Sequence, residues 1–369
     1  QVLVALAGTH DTHRDRHQAP LSVEGQVDYE RLRRPGGRLQ SRWGAVDGQM
    51  GVDCGASCEN RGMTIVLSAG DLRDALTVED ALDALRKGFG SSIPVAGQRH
   101  RTDLPFPGTA TALLPGTLDG VPAFSIKANV KFPAANPALR GVVCIYAGTD
   151  GELLGILDSS TLTAWRTGLS AALATDLLAR RDAKTVAVIG AGAQGTLTVR
   201  GLAHLRGRFD LIVHDVDEER ARMLAQDHGG RVAGSVEEAA SAADVVLVAT
   251  WAREPVLIEF SPAGGQHITS LGSDEPGKHE LAATLLQQCL LIVDDLDQNR
   301  AMGVLSYAHR EPDALLSDIV AGRHPGRTSA HQNTAYAPVG LPWQDLALGW
   351  LALQTATTRG IGTTVELTH

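Results

Sequence analysis

Between residues 185 and 215 the chain reads TVAVIGAGAQGTLTVRGLAHLRGRFDLIVHD, and few folds accommodate such a stretch. The apolar, β-branched run at 186–189 predicts a short strand. Gly190, Gly192 and Gly195 follow at the G-x-G-x-x-G spacing. Leu197, Gly201, Leu202 and Leu205 then share one face of a predicted helix. A second apolar run at 211–213 leads to Asp215. A strand, a glycine turn, a helix, a strand and an acid at its tip together predict a dinucleotide site. Gly190 permits the sharp turn, Gly192 admits a pyrophosphate to the backbone, and Gly195 lets helix and strand pack closely. Ala193 and Gln194 open the helix, whose unpaired N–H groups and dipole favour phosphate charge. Asp215 suits a ribose 2′-hydroxyl, so NAD(H) is expected over NADP(H), although His214 and Arg220 lie nearby. The chain holds 40 glycines, so the glycine spacing alone decides little. The flanking strand, helix and acid make the reading specific. Its structural alternative is a glycine turn that binds nothing.

The rest of the composition narrows the class. A length of 369 residues allows two domains. Hydrophobic content of 43% and charged content of 20% fit a soluble globular protein. A formal net charge of -9 argues against a nucleic-acid partner. No apolar run is long enough to span a bilayer, so no membrane partner is expected. The four cysteines form neither a disulfide framework nor a zinc pattern. Cys144 and Cys289 read as small core residues, and a reducing cytoplasm is the expected compartment. No metal site is expected.

Residues 1–62 differ from the rest of the chain. They lack sustained periodicity and lysine, and their acidic residues balance their arginines. They read as a disordered extension, or as spurious upstream sequence. Cys54 and Cys58 within them lack a second ligand pair. From Met63 the pattern is globular. Strands are expected at 65–67, 110–114, 121–130, 141–147 and 153–157, with a helix opening at Thr77-x-x-Asp80. Residues 158–178 read as one long helix carrying Arg166. Beyond 215, helices at 218–228 and after Ser235 alternate with strands at 244–250, 267–271 and 290–294. That alternation predicts a parallel sheet covered on both faces. The expected fold class is therefore α/β: a Rossmann domain over 183–305, plus a strand-rich α+β substrate and dimerisation domain over 63–182 with 306–369.

Several further blocks come in a telling order. Lys127 and Val130 follow a Leu-Leu-Pro-Gly strand. Thr161, Trp165, Arg166 and Thr167 lie on the helix before the nucleotide domain. Gly272, Asp274, Gly277, Lys278 and Leu281 follow a later strand, and Gly340 and Asp345 precede the last helix. With the glycine turn, these blocks make the chain resemble the ornithine cyclodeaminase/mu-crystallin family from Met63 nearly to the C-terminus. The resemblance implies hydride transfer at the α-carbon of an amino acid or its imine, with NAD as cofactor, in a homodimer. It implies that Arg101, Lys127 and Arg166 hold the substrate carboxylate and that Asp274 is the acid/base group. Gly272 would lie against the cofactor, and Thr250, at the carboxyl end of another expected strand, is a further candidate cofactor contact.

The residue types suit those roles. A guanidinium fork grips a carboxylate, and a lysine can polarise an imine or neutralise the same carboxylate. A carboxylate beside an amine can take up and return its proton. Each residue also has a plainer reading. Lys127 could face a protein aspartate, Arg166 could form an ordinary ion pair, and Asp274 could cap its loop. Asp345 could cap the last helix or stand near the nicotinamide, and Thr250 could be a loop hydroxyl. Lys131 reads as solvent-facing, and His267 and His279 as structural or exposed. Three functions compete: an amino acid dehydrogenase or ketimine reductase; a true ornithine cyclodeaminase, which recycles NAD while forming proline and ammonia; and a non-catalytic binder of NAD(P)H and a small ligand. The 293–298 segment, with three aspartates, resembles the dehydrogenase branch of the family more than the cyclodeaminase, which leans toward the first.

Overall fold

The computed structural model describes residues 62–367, except 92–98, 104–105, 107–109, 133–134 and 259. The leader expected at 1–62, with Cys54 and Cys58, lies outside the described residues except at Gly62.

The first half of the chain runs β1 (Met63–Leu67), α1 (Ala69–Ala75), α2 (Val78–Ser91), β2 (His100–Thr102), β3 (Ala110–Thr117), β4 (Ala123–Lys131), β5 (Leu139–Ala147), β6 (Leu153–Asp158) and α3 (Ser159–Leu178). The second runs β7 (Thr185–Ile189), α4 (Ala193–Arg206), β8 (Asp210–His214), α5 (Glu218–His228), β9 (Arg231–Val232), α6 (Val236–Ser241), β10 (Val245–Val248), β11 (His267–Ser270), α7 (Ala283–Leu286), β12 (Leu290–Val293), α8 (Leu296–Met302), β13 (Ala314–Leu315), α9 (Leu316–Val320), β14 (Thr334–Tyr336), α10 (Pro342–Arg359) and β15 (Thr363–Glu366).

These strands form two sheets. One has the order β15-β1-β6-β5-β4-β3-β2, and the other β13-β12-β14-β11-β10-β7-β8-β9. Every pairing in the second sheet is parallel. The chain leaves β7 toward β8 and β9, then returns to β10 on the other side of β7. That reversal makes the β7/β10 boundary the place where ligands bind in such sheets.

Local chemistry explains the element boundaries. Asp80 N–H donates to Thr77 Oγ1 at 3.1 Å, and the Thr77 hydroxyl reaches back to Asp80 Oδ2 at 2.6 Å, opening α2. Asp158 Oδ1 accepts Thr161 N–H at 2.8 Å and starts α3. The strand expected to stop at 114 continues through Pro115 and Gly116 to Thr117. Proline is tolerated there because β2 pairs with β3 only over Thr111–Leu113, which leaves the far side of Pro115 without a strand partner among the described residues.

Helix α3 joins the two sheets. Most of its residues are buried, because it packs against α2 and α10 on one side and α4 on the other. A Cβ at Gly168 would stand 2.6 Å from Leu197 Cβ, so only glycine allows α4 to approach this closely. The carbonyl end of α3 has no basic residue in its own last turn. Arg206 of α4 caps it instead, donating to Asp176 O at 2.7 Å and Arg180 O at 2.8 Å. Arg327 adds a bond to Leu178 O at 2.7 Å.

One difference from the sequence reading concerns residues beyond 305. Strands β13 and β14 return to the parallel sheet, and β14 inserts between β11 and β12. A three-residue strand carries too little periodicity to be read from sequence. The chain then crosses back to build α10 against β3, β4 and β5. Cys289 is buried as expected, but Cys144 is only partly buried on the open face of the first sheet.

Candidate active site

The glycine turn adopts the geometry its spacing predicts. Gly190 has φ +101°, and a Cβ there would stand 2.3 Å from Ala249 O. A Cβ at Gly195 would meet Gly190 O at 2.3 Å. Above Gly192, the N-cap of α4, a Cβ would meet nothing within 4 Å. Ala193 is exposed and Gln194 half-exposed at the same helix start. Asp215 stands beside this turn, where its carboxylate accepts Ala191 N–H at 2.7 Å and Asp217 N–H at 2.8 Å. The result is an open, backbone-lined anion cradle with a carboxylate at its edge.

The loops after β10, β11, β12 and β14 leave the same end of the sheet as Gly190, because those strands are all parallel to β7. Their anchors are two buried acids. Glu280 accepts hydrogen bonds from Thr250 N–H, Thr250 Oγ1 at 2.7 Å, Ser270 Oγ at 2.8 Å and Gly272 N–H at 2.6 Å. A side chain at Gly272 would collide with it, the nearest atom lying 2.2 Å from the added Cβ. Asp294 accepts Val339 N–H at 3.0 Å and Gly340 N–H at 2.7 Å. Burial pushes its carboxyl up to about 6, against the pull of those backbone donors.

The first sheet supplies the opposite wall. Alternation along β4 points Lys127, Asn129 and Lys131 to the same side. Lys127 is 2% exposed, and its ammonium donates to both oxygens of Asp345, at 3.0 and 3.1 Å. Burial lowers the Lys127 pKa to about 8, with Asp345 opposing the shift. Arg166 Nε stands 3.6 Å from Asp345 Oδ1 without forming a hydrogen bond, and its Nη1 donates to Gln344 Oε1 at 3.3 Å. Asp345 is therefore the shared counter-ion of two buried cations rather than only a helix cap.

Arg99 connects the two walls. It donates from Nη1 to Asp274 O at 3.0 Å and from Nη2 to Val339 O at 3.4 Å. Burial lowers its pKa, and the charges it feels are those of Asp274, Arg166, Asp294 and Asp345. Arg101, the residue singled out from the sequence, lies further toward solvent. It pairs with Asp103 at 3.7 Å and Glu275 at 3.8 Å. Two residues apart on an extended segment, the arginines leave the chain on one side, and the sequence does not say which reaches deeper.

Asp274 follows β11 and is held by two lysines. Lys131 Nζ donates to its Oδ2 at 3.0 Å, and Lys278 Nζ to its Oδ1 at 3.3 Å. Burial works to raise the Asp274 pKa, but Lys131 and Lys278 hold the carboxyl well below the ordinary carboxylate range. The solvent-facing reading of Lys131 is thus corrected: Asp274 and Glu275 draw the ammonium inward. Of the two histidines, His267 is fully buried between Thr334 Oγ1 and Thr269 Oγ1, while His279 stacks on Tyr307 with ring centroids 3.8 Å apart.

A parallel sheet with an open anion cradle, facing a wall of paired buried cations and an ionised aspartate, defines a dinucleotide-linked enzyme of small acids or amines. The comparisons give the family. The ornithine cyclodeaminase/mu-crystallin family model matches residues 118–359, and the chain belongs to that family. It is 32% identical over 283 residues to the L-lysine cyclodeaminase of Streptomyces rapamycinicus, covering 68% of this chain and 81% of that one. It is 24% identical over 316 residues to the alanine dehydrogenase of Archaeoglobus fulgidus, covering 82% and 98%. The structure of the Thermococcus litoralis Delta(1)-pyrroline-2-carboxylate reductase in complex with NADH and L-proline superposes with a TM-score of 0.76 at 24% identity, covering 82% of this chain and 100% of that one. Among the described residues no helix is long and apolar enough to cross a membrane.

Proposed function

We propose that the protein binds NAD(H) at the glycine turn and acts at the α-carbon of a small L-amino acid or its imine, as an amino acid dehydrogenase or ketimine reductase. The observation that carries this reading is that Arg99, bonded to Asp274 O past β11, also feels the charges of Arg166 and Asp345 in the Lys127–Asp345–Arg166 group, so one guanidinium lies near both. The turn fits the cofactor: open space at Gly192 and the N-terminus of α4 suit a pyrophosphate. Gly190, Ala193, Gln194 and Gly195 shape that cradle, while Thr250 and Gly272 border it from the neighbouring strand ends. Asp215 suits the ribose hydroxyls and would repel a 2′-phosphate, which favours NAD over NADP. When bound, the nicotinamide supplies or accepts the hydride.

The chain's own residues do the rest. Lys127 and Arg166 hold the substrate carboxylate, which would give the buried Arg166 Nε the acceptor it lacks among the described residues. Arg99 closes the cation group, and Arg101 belongs to its rim. Asp274, kept ionised by two lysines, accepts a proton from the substrate nitrogen in the oxidative direction and returns it in the reductive one. We also infer a homodimer in the cytoplasm. The face of the first sheet turned away from α10 exposes Leu113, Ile126 and Val142 and carries the stacked Phe124–Tyr146 pair, an apolar surface suited to a second copy.

A second reading, cyclodeamination, is favoured by the lysine cyclodeaminase relative. One panel separates the two. Amino acids, and 2-oxo acids with ammonia, are incubated with NAD(H), following nicotinamide absorbance and identifying products by mass. A dehydrogenase or reductase changes absorbance in proportion to product. A cyclodeaminase releases ammonia and a cyclic amino acid with no net change. Asp274→Asn lowers turnover by about 10²–10⁴-fold while NADH still binds. Unchanged turnover in that variant would remove the acid/base assignment.

A further inference from the structure

We propose that Lys131 is a positioning residue for Asp274: its ammonium, seated over the Trp251 ring and against Glu275, fixes the carboxylate as an oriented, ionised base. This rests on the assignment of Asp274 above and adds a residue that assignment does not contain.

The geometry has three parts. Lys131 and Lys278 each bond a different oxygen of Asp274, at 3.0 and 3.3 Å. Two donors on two oxygens fix the plane of a carboxylate as well as its position, which one donor cannot do. Both ammonium groups also lie over one indole, 5.7 and 5.3 Å from the centroid of Trp251. The ring face attracts cations, so Trp251 adds a second contact to each lysine. Trp251 stands just past β10, next to Thr250, whose N–H and hydroxyl are tied to Glu280. The clamp is therefore anchored to both walls: Lys131 on β4, Lys278 on the loop after β11, and Trp251 on the loop after β10.

Strand β4 also works as a ruler. Lys127 and Lys131 point to the same side four residues apart, which is roughly 13 Å along an extended strand. Between them Asn129 is tied to Ser159 at the start of α3, which fixes the strand's position. One strand thus sets the separation between the cation assigned to the substrate carboxylate and the clamp on the base. A substrate held at one end meets a base that cannot drift from the other.

The charged groups facing Asp274 are Lys131 from β4, Lys278 from its own loop, and Arg99 from the segment before β2. Glu275 is the neighbouring anion, and it meets Arg101 at 3.8 Å and Arg253 at 3.9 Å. Of the three cations facing Asp274, Lys131 is the one that a strand of the first sheet supplies. Its removal leaves Lys278 and Arg99 to hold Asp274, so the fold survives while the carboxylate loses one of its two oxygen partners.

The test is a pH titration of the Asp274 carboxyl in the full chain. Aspartate is labelled with 13C at the side-chain carboxyl, and the resonance is assigned by its loss in Asp274→Asn. The expected result is a midpoint raised by roughly one pH unit or more in Lys131→Met and largely restored in Lys131→Arg. Trp251→Leu moves it in the same direction by less. A midpoint in Lys131→Met within about 0.3 unit of the wild-type value, or failure of arginine to restore it, overturns the proposal. Should Lys131→Met fold poorly, Lys131→Gln carries the same readout. In turnover, the acid limb of the pH profile rises with the midpoint, which simple structural damage would not produce. If Asp274→Asn keeps full turnover, the assignment of Asp274 fails whatever Lys131 does, so the two failures are distinguishable.

Discussion

On the nucleotide side of the cleft the working groups are backbone N–H groups and empty space: the start of α4, and Gly192 with nothing within 4 Å of an added Cβ. On the opposite side they are charges sealed from water, with Lys127 and Asp345 each 2% exposed at the side chain. The first wall tolerates change wherever a side chain finds room. The second tolerates almost none, since each buried charge depends on a partner from a distant part of the chain. An open cradle suits a cofactor that enters and leaves with a solvated pyrophosphate. A dry ion-pair group suits discrimination, since a buried cation left without its carboxylate is costly.

The largest expected effect tests the sealed wall. Asp345→Asn leaves Lys127 and Arg166 without their shared counter-ion, and costs about 3–5 kcal/mol of stability. Urea unfolding at neutral pH reads this directly. A loss below about 1 kcal/mol would mean that water already screens the pair.

Next comes the pH dependence set by Asp294. Its folded pKa is about 6, raised from the ordinary 3.8 chiefly by burial. A raised carboxyl binds its proton more tightly in the folded state. Its contribution to stability is therefore fully present below pH 3.8 and is lost as pH rises through about 6. The span is about 3 kcal/mol at most. Asp294→Asn should flatten this part of the stability–pH curve between those limits. A curve with the same slope in the variant would place the titration elsewhere.

The open wall gives the smaller and more selective effects. Gly195→Ala forces a Cβ to within 2.3 Å of Gly190 O and should cost about 1–3 kcal/mol. Gly192→Ala has room and should change stability by less than about 0.5 kcal/mol. It crowds the phosphate position instead, so its NADH dissociation constant rises while its melting curve does not. Equal stability losses in the two variants would erase the distinction between a packing glycine and a ligand glycine.

A last comparison concerns the uncovered sheet face. Ile126→Glu on that face should leave the fold intact and shift the mass measured by light scattering from two copies to one. An unchanged mass would assign that face to something other than self-association.

The same contrast explains what could be read from sequence. The glycine turn was legible because backbone geometry writes itself into glycine spacing, strand periodicity and a terminal acid within about thirty residues. Lys127, Arg166 and Asp274 were legible through short blocks shared with a family, and Lys127 also because a lone lysine in an apolar strand calls for a partner. That its partner is Asp345 was not legible, because 218 positions separate them and only the return of the chain into α10 brings them together. Lys131 carried a usable signal, since it lies on the same strand face as Lys127. Its reach to Asp274 depended on a loop from the other sheet. Glu280 gave no signal of its own, as a buried acid bound to backbone N–H groups resembles any surface acid in one dimension; Asp294 lay in a segment that pointed to a branch of the family, and its hold on Val339 and Gly340 was not readable from it. Arg99 and Arg101 differ only in depth, which a loop conceals.

Hydride exchange between these two walls is the step on which every residue role above depends. A single turnover with NADH dideuterated at C4, using the 2-oxo acid and ammonia, or the cyclic imine, that the panel identifies, is the test. Deuterium is expected at the α-carbon of the amino acid product in the wild-type protein, with a rate at least about 100-fold lower in Asp274→Asn and NADH affinity unchanged. Deuterium absent from the α-carbon, or transferred at the wild-type rate by Asp274→Asn, would contradict it.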